Sequence, residues 1–282
     1  MTLQLSGQSE RNEGLPDPHR EFYGQPKVQM PLLVSGKDEQ GNVIDVPRDS
    51  VSFAYVLERR ETAPEDVRET WQKNYFFTGD GSTAGAGGDH LIVLDAQALR
   101  DVTPKSELYN GALVLSAGAW QNLKDRKDKV VYLTAEEVQE AKGKGYVKTN
   151  GVWTPANKSV AKVWDTLSRG RDLSLYAQLV SEHSSRRDSL LNVYFNKTTK
   201  NGRPTMRSWT ADGIDSYSAA VGNSILDFYY GNLVGVASGE HVMAEKALEA
   251  RVLSALESGS AFEFNGRVYA PVNGVSLITK KD

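Results

Sequence analysis

Residues 76–95 read FFTGDGSTAGAGGDHLIVLD, two apolar runs separated by a segment in which five of the twelve residues from 79 to 90 are glycine. No other segment narrows the fold as much. GDGSTA matches the G-x-G-x-x-[G/A] pattern that cradles a dinucleotide pyrophosphate. That pattern works when a helix follows at once and turns its N-terminus toward the phosphates. Here HLIVL follows, an apolar strand ending at Asp95, and no long βαβ crossover surrounds it. The expectation is a mobile strand-to-strand connection over residues 79–88 rather than a nucleotide cradle, and no cofactor is assigned.

The rest of the chain divides around this segment. Residues 1–30 are polar and broken by Gly and Pro without a sustained period, and read as a flexible N-terminal arm. PLLVSG and VIDV flank Gly41-Asn42 as a hairpin, and VSFAYVLE reads as a third strand. ETAPEDVRETWQ reads as a short helix with Pro64 in its first turn, and GALVLSAGAW as a further strand.

Beyond this point helix signals accumulate. Thr134 and Glu137 have the spacing of a capping box. Val160, Val163, Trp164 and Leu167 share one helical face. Leu175, Tyr176 and Leu179 make a second behind Asp172; Ile214, Tyr217, Val221, Ile225 and Phe228 make a third; Met243, Leu248, Val252 and Leu256 make a fourth. Asn150-Gly151 and Asn265-Gly266 mark two-residue hairpins, whose central residues need positive φ. The fold expected is α+β, with a β-rich region at 31–115 and a mainly helical region at 116–282 carrying short hairpins near 146–153 and 261–272.

Composition excludes several chemistries. The 282 residues include no cysteine, which removes disulfides, thiolate nucleophiles and cysteine-ligated zinc or iron–sulfur sites. A net charge of −3 gives the whole molecule no footprint for DNA or anionic membrane. The chain shows neither a basic-then-apolar leader nor an apolar run near the ~18–20 residues of a membrane span, so a soluble cytoplasmic protein is expected. Signatures of serine hydrolases, P-loop proteins and HExxH metalloproteases are missing.

Two groups of residues remain as candidates. Asp89, His90 and Asp95 cluster around the LIVL strand, where an acid at a strand end can serve a metal-dependent hydrolase or simply cap the turn that follows. The four histidines lack ligand spacing, so no metal site is assigned. The second group is electrostatic. Residues 37–101 hold 7 basic against 13 acidic side chains, and residues 158–207 hold 10 against 4. Arg169, Arg171, Arg186, Arg187, Lys197, Lys200, Arg203 and Arg207 form the basic set, interleaved with Tyr176, Tyr194, Phe195 and Trp209. Such a set can hold a nucleic-acid backbone with stacked bases, or dock on the acidic half of its own chain or of a neighbour. The leading expectation is a non-enzymatic structural or assembly protein acting as a homo-oligomer. Nucleic-acid binding and hydrolysis follow as alternatives.

Overall fold

The computed structural model describes residues 15, 16, 18–38, 40–116, 118–126, 129–185, 188–237, 262–264, 267–272 and 276–280. Two units separate by contacts, 1–236 and 237–282.

The first unit begins with β1 (His19–Tyr23), α1 (Pro26–Ser35), β2 (Arg48–Ser50), α2 (Phe53–Thr62) and α3 (Glu65–Lys73). The glycine-rich segment follows, and it is a strand: β3 runs Phe76–Ala84 and contains GDGSTA whole, every residue buried. Only residues 85–89 form the connection, closed by the Gly85 amide donating to Asp89 O at 3.0 Å. The antiparallel partner is β4 (His90–Val93), so the expected strand-to-strand order stands while the expected long loop shrinks to a turn.

The chain continues through α4 (Gln97–Arg100), β5 (Leu108–Tyr109), β6 (Ala112–Val114), α5 (Ala119–Lys124), β7 (Val130–Leu133) and α6 (Ala135–Ala141). A hairpin of β8 (Tyr146–Thr149) and β9 (Val152–Pro155) leads into α7 (Lys158–Leu167) and α8 (Ser174–His183). Short β10 (Val193–Tyr194), long β11 (Thr205–Ala211), β12 (Ala220–Val221) and β13 (Asn232–Ala237) complete the unit.

The main sheet has eleven strands, with β1-β13-β3-β11-β12-β10 as its spine. β2 joins β13, β4 and β7 extend from β3, and β6 and β5 extend from β11. β3 pairs antiparallel with β11 from Ala84↔Thr205 to Phe76↔Ala211, across a bulge between Ser208 and Thr210. Side chains alternate across this centre because successive residues of a strand point to opposite faces. Phe76, Ile92, Trp209 and Val234 enter one core with residues of α2, α3, α7 and α8. Phe77, Leu91, Met206 and Leu233 enter a second core with residues of α1 and α4.

These observations correct the expected fold class. The region after residue 116 is not mainly helical. It supplies β7 and β10–β13 to the main sheet, and β11 is buried along its whole length. The chain is a sheet-rich mixed α/β protein. The 214–228 stripe is not a helix: Ser218 holds φ 51, a Cβ on Gly213 would stand 2.5 Å from Lys73 O, and Ala220 and Val221 pair as a strand. In the other direction, PLLVSG and VSFAYVLE fold as helices α1 and α2. The segment 19–30, assigned to the arm, carries β1, paired with β13, and the start of α1, while 1–14 lie outside the described residues.

Other readings hold. All four residues of the 160–167 stripe are fully buried. Thr134 and Glu137 form a reciprocal capping box. Asn150 and Gly151 take φ 51 and 83 in the β8–β9 turn. The second stripe, Leu175, Tyr176 and Leu179, holds only in part: the buried residues of α8 are Tyr176, Ala177 and Val180, Leu179 is partly buried and Leu175 is 81% exposed.

The second unit contains an antiparallel sheet of β14 (Phe262–Phe264), β15 (Arg267–Val272) and β16 (Ser276–Lys280). Phe264 pairs with Arg267, as a two-residue connection requires. The helix expected at 240–258 lies outside the described residues. Among the described residues no helix is long and apolar enough to cross a membrane.

Candidate functional site

The Asp89, His90, Asp95 cluster does not converge. His90 opens β4, which alone spans about 10 Å, and Asp95 lies in the turn beyond its far end. His90 is buried, with Nε2 3.1 Å from Ser82 Oγ and edge contacts to Phe195 and Trp209. Burial lowers its pKa to about 3, so the imidazole is neutral. Asp89 acts on Tyr132, whose pKa is raised by burial first and by that carboxylate second. Asp95 has φ 49 and leaves α4 uncapped. Its side chain instead meets Arg169 at 3.1 Å and Lys129 at 3.8 Å. Among the described residues no three His, Asp or Glu side chains gather as metal ligands.

The acid that GDGSTA hides is Asp80. It is fully buried and accepts the amide hydrogens of Phe53 at 2.7 Å and Asp95 at 2.9 Å. It thereby fixes the first residue of α2 and the bend after β4. Burial raises its pKa against the pull of these amides and of Arg169.

The basic segment largely folds back on its own chain. Arg171 pairs with Glu61, Lys200 and Arg203 both pair with Glu107, and Arg169 pairs with Asp95. Arg207 is buried and donates to the Asn223 carbonyl, to Asn110 O at 2.5 Å and to Thr198 Oγ1 at 3.1 Å. Lys197 lies beside Lys142. Arg186 and Arg187 lie outside the described residues.

The sites missed by sequence reasoning lie where β11 and β3 meet the irregular segment 212–231. A cleft of about 610 Å³ opens there. Its walls are aromatic: Tyr75, Phe77, Tyr194, Tyr217 and Phe228, with Val221 and Ile225. Tyr217 and Tyr194 approach hydroxyl to hydroxyl at 3.5 Å, and the Tyr75 hydroxyl donates to the Tyr230 carbonyl. Polar groups enter among the rings: Thr210, Asp212, Asn223 and Ser224. The Thr210 hydroxyl is buried with no partner among the described residues. Asp212 is pushed above the usual carboxylate range by burial, although the Gly213 amide and Arg60 act the other way. Tyr229 and Tyr230 stand beside the cleft, 76% and 75% exposed.

Tyr217, Val221, Ile225 and Phe228, four of the five residues of the expected third helical stripe, therefore line a cleft. The available signal was composition: DGIDSYSAAVGNSILDFYYG is dense in Tyr, Ser, Gly, Asn and Asp, which suits an adaptable binding surface better than a helix.

No family model matches the sequence, and no curated protein matches it. Among solved structures, the fold is similar to a chain described as "Accommodation of massive sequence variation in Nanoarchaeota by the C-type lectin fold", with TM-score 0.52 and 13% identity over 78% of this chain and 97% of that one. At that identity the likeness is one of fold alone. It agrees with the sheet-rich architecture and stands against a helical C-terminal region.

Proposed function

We propose that this protein is a non-enzymatic recognition module that holds a ligand in the aromatic cleft between β3, β11 and the 212–231 segment. The observation that carries this reading is the ring of aromatic side chains, Tyr75, Phe77, Tyr194, Tyr217 and Phe228, around an open cleft with Asp212, Asn223 and Ser224 among them. Aromatic walls with a few convergent polar groups are the usual makeup of a ligand pocket. Tyrosine adds large contact area at low entropic cost. The ligand class that matches rings plus hydroxyl, amide and carboxyl groups is a carbohydrate. The neighbour of like fold is described as accommodating massive sequence variation, which fits a rigid sheet carrying an irregular binding segment.

Self-association and nucleic-acid binding, the other readings of the basic segment, have less support because most of its described cations pair within the chain. The test is a screen against immobilised carbohydrates, with Tyr217→Ala/Phe228→Ala alongside. The wild type should bind at least one sugar series and return it chemically unchanged, and the variant should bind at least tenfold more weakly. Absence of any carbohydrate binding, or equal binding by the variant, refutes the proposal. Sedimentation with and without an oligonucleotide, run in parallel, separates the two alternatives.

A further inference from the structure

A second cavity of about 310 Å³ adjoins the cleft and shares Tyr194 and Asn223 with it. Its character is different, because Lys142, Lys197 and Arg207 line it. The backbone fixes each of these. The Gly143 amide donates to Val193 O at 2.8 Å and the Val193 amide to Lys144 O at 3.0 Å, which holds Lys142 against β10. The chain leaving β10 is locked at Asn196, whose Nδ2 donates to Thr205 O and Oγ1 at 3.0 Å and whose Oδ1 accepts the Thr198 amide at 3.0 Å. Lys197 sits between these anchors.

The two ammonium groups lie against each other. That contact, ahead of burial, lowers the Lys197 pKa. Like charges this close repel, and among the described residues no carboxylate pairs with either lysine. Arg207 also lines the cavity. It is buried, its outer nitrogens are used, and its Nε has no partner. The one acid acting on it is Asp227. Three cations therefore converge against one carboxylate.

We infer that this cavity is an oxyanion site, and that it seats a carboxylate, sulfate or phosphate group carried by the ligand of the neighbouring cleft. The second half of this inference rests on the cleft being a binding site, and the first half does not. An oxyanion between Lys142 and Lys197 turns a repulsive pair into two charge-assisted contacts. The shared wall at Tyr194 places such a group beside a ring stacked in the cleft. The favoured ligand is thus an acidic sugar rather than a neutral one.

The test uses the full chain and two probes. Inorganic sulfate is titrated at constant ionic strength, with binding read by calorimetry and by backbone amide shifts. Wild type should bind saturably, and Lys142→Gln/Lys197→Gln should bind at least tenfold more weakly with an unchanged melting temperature, since both side chains are exposed. Lys105→Gln, remote in sequence and exposed, should bind like wild type. Paired sugars with and without a sulfate or uronic carboxylate form the second arm, and the acidic member should bind at least tenfold more tightly. Unsaturable sulfate binding, or equal binding by the double-lysine variant, overturns the oxyanion site. Neutral and acidic sugars binding alike removes it from ligand recognition while leaving the cleft intact. Saturable sulfate binding without any sugar binding sustains the site and refutes the cleft.

Discussion

The Arg169 guanidinium donates to Asp95 Oδ1 at 3.1 Å and stands 3.5 Å from Asp80 Oδ1, joining the basic segment to the acidic one across 74 residues of chain. The two acids differ in what they lose without it. Asp95 is partly exposed and has Lys129 nearby, so water and a second cation compensate. Asp80 is fully buried and would keep only its two amide donors. Asp95→Asn should cost less than about 1 kcal/mol, the range of exposed pairs. Arg169→Met should cost more, about 1–3 kcal/mol, because the buried Asp80 carboxyl loses its only cationic partner among the described residues. Urea unfolding of both variants checks the order. In sedimentation, the mass should not change between low and high salt, since these charges are satisfied within the chain.

Packing requires the second glycine of GDGSTA, whereas a Cβ on Gly79 would approach nothing closer than 3.4 Å. A Cβ on Gly81 would lie 2.8 Å from Met206 Sδ and 3.0 Å from Ala96 Cβ. Gly81→Val should therefore destabilise the protein by roughly 2–3 kcal/mol, the upper range for overpacking a core. The wild type should show no nucleotide binding that depends on Gly79 or Gly81. Thermal unfolding of the variant and titration of the wild type with NAD and ATP check both halves.

What was legible in the sequence was local. The Val160–Leu167 stripe, the Thr134–Glu137 box and the Asn150-Gly151 turn each depend on neighbours within a few residues, and all three are present. VSFAYVLE was misread because Val, Phe and Tyr favour strands. Its helix is set by the Ser52 cap and by Asp80, whose carboxylate arrives from 27 residues away. The cleft was hidden for the same reason. Tyr75 and Phe77 meet Tyr217 and Phe228 only after β11 pairs with β3, and no pattern inside residues 214–228 records that partner.

His90 gives the protein a pH dependence with a definite sign. Burial lowers its pKa from 6.5 to about 3, so the folded state holds it neutral while the unfolded state protonates below pH 6.5. Between those values the unfolded chain binds the extra proton, and stability falls as pH falls. At pH 5 the loss from this residue alone is about 2 kcal/mol relative to neutral pH. His90→Gln should be less stable at pH 7, because the Phe195 and Trp209 contacts are reduced. Its stability should nonetheless decline less steeply from pH 7 to 5. Equal slopes for both proteins in chemical denaturation would show that His90 is not the buried neutral group described here.

Arg60 ties the cleft to the core. Its side chain is fully buried and donates to five acceptors: Trp71 O at 3.0 Å, Asn74 O at 2.9 Å, Ala211 O at 3.2 Å, Tyr176 OH at 3.0 Å and Ser218 Oγ at 3.0 Å. Ser218 holds φ 51, a conformation a serine keeps only when its surroundings fix it, and the residue before it, Tyr217, lines the cleft. Arg60 also lowers the pKa of Asp212 against its burial. Arg60→Met keeps much of the volume but leaves the five acceptors without this donor, and should cost about 3–5 kcal/mol. Tyr176→Phe removes the hydroxyl shared by Arg60 and Ser218 and should cost about 1–2 kcal/mol, with Ser218 still bonded to Arg60. If the arginine positions the 212–218 segment, Arg60→Met at a temperature where it remains folded should lose protection of the Asp212 and Ser218 amides in hydrogen exchange. The amides of β3 should stay protected in the same sample. Uniform loss across both segments would mean that Arg60 serves the core as a whole and not the cleft wall.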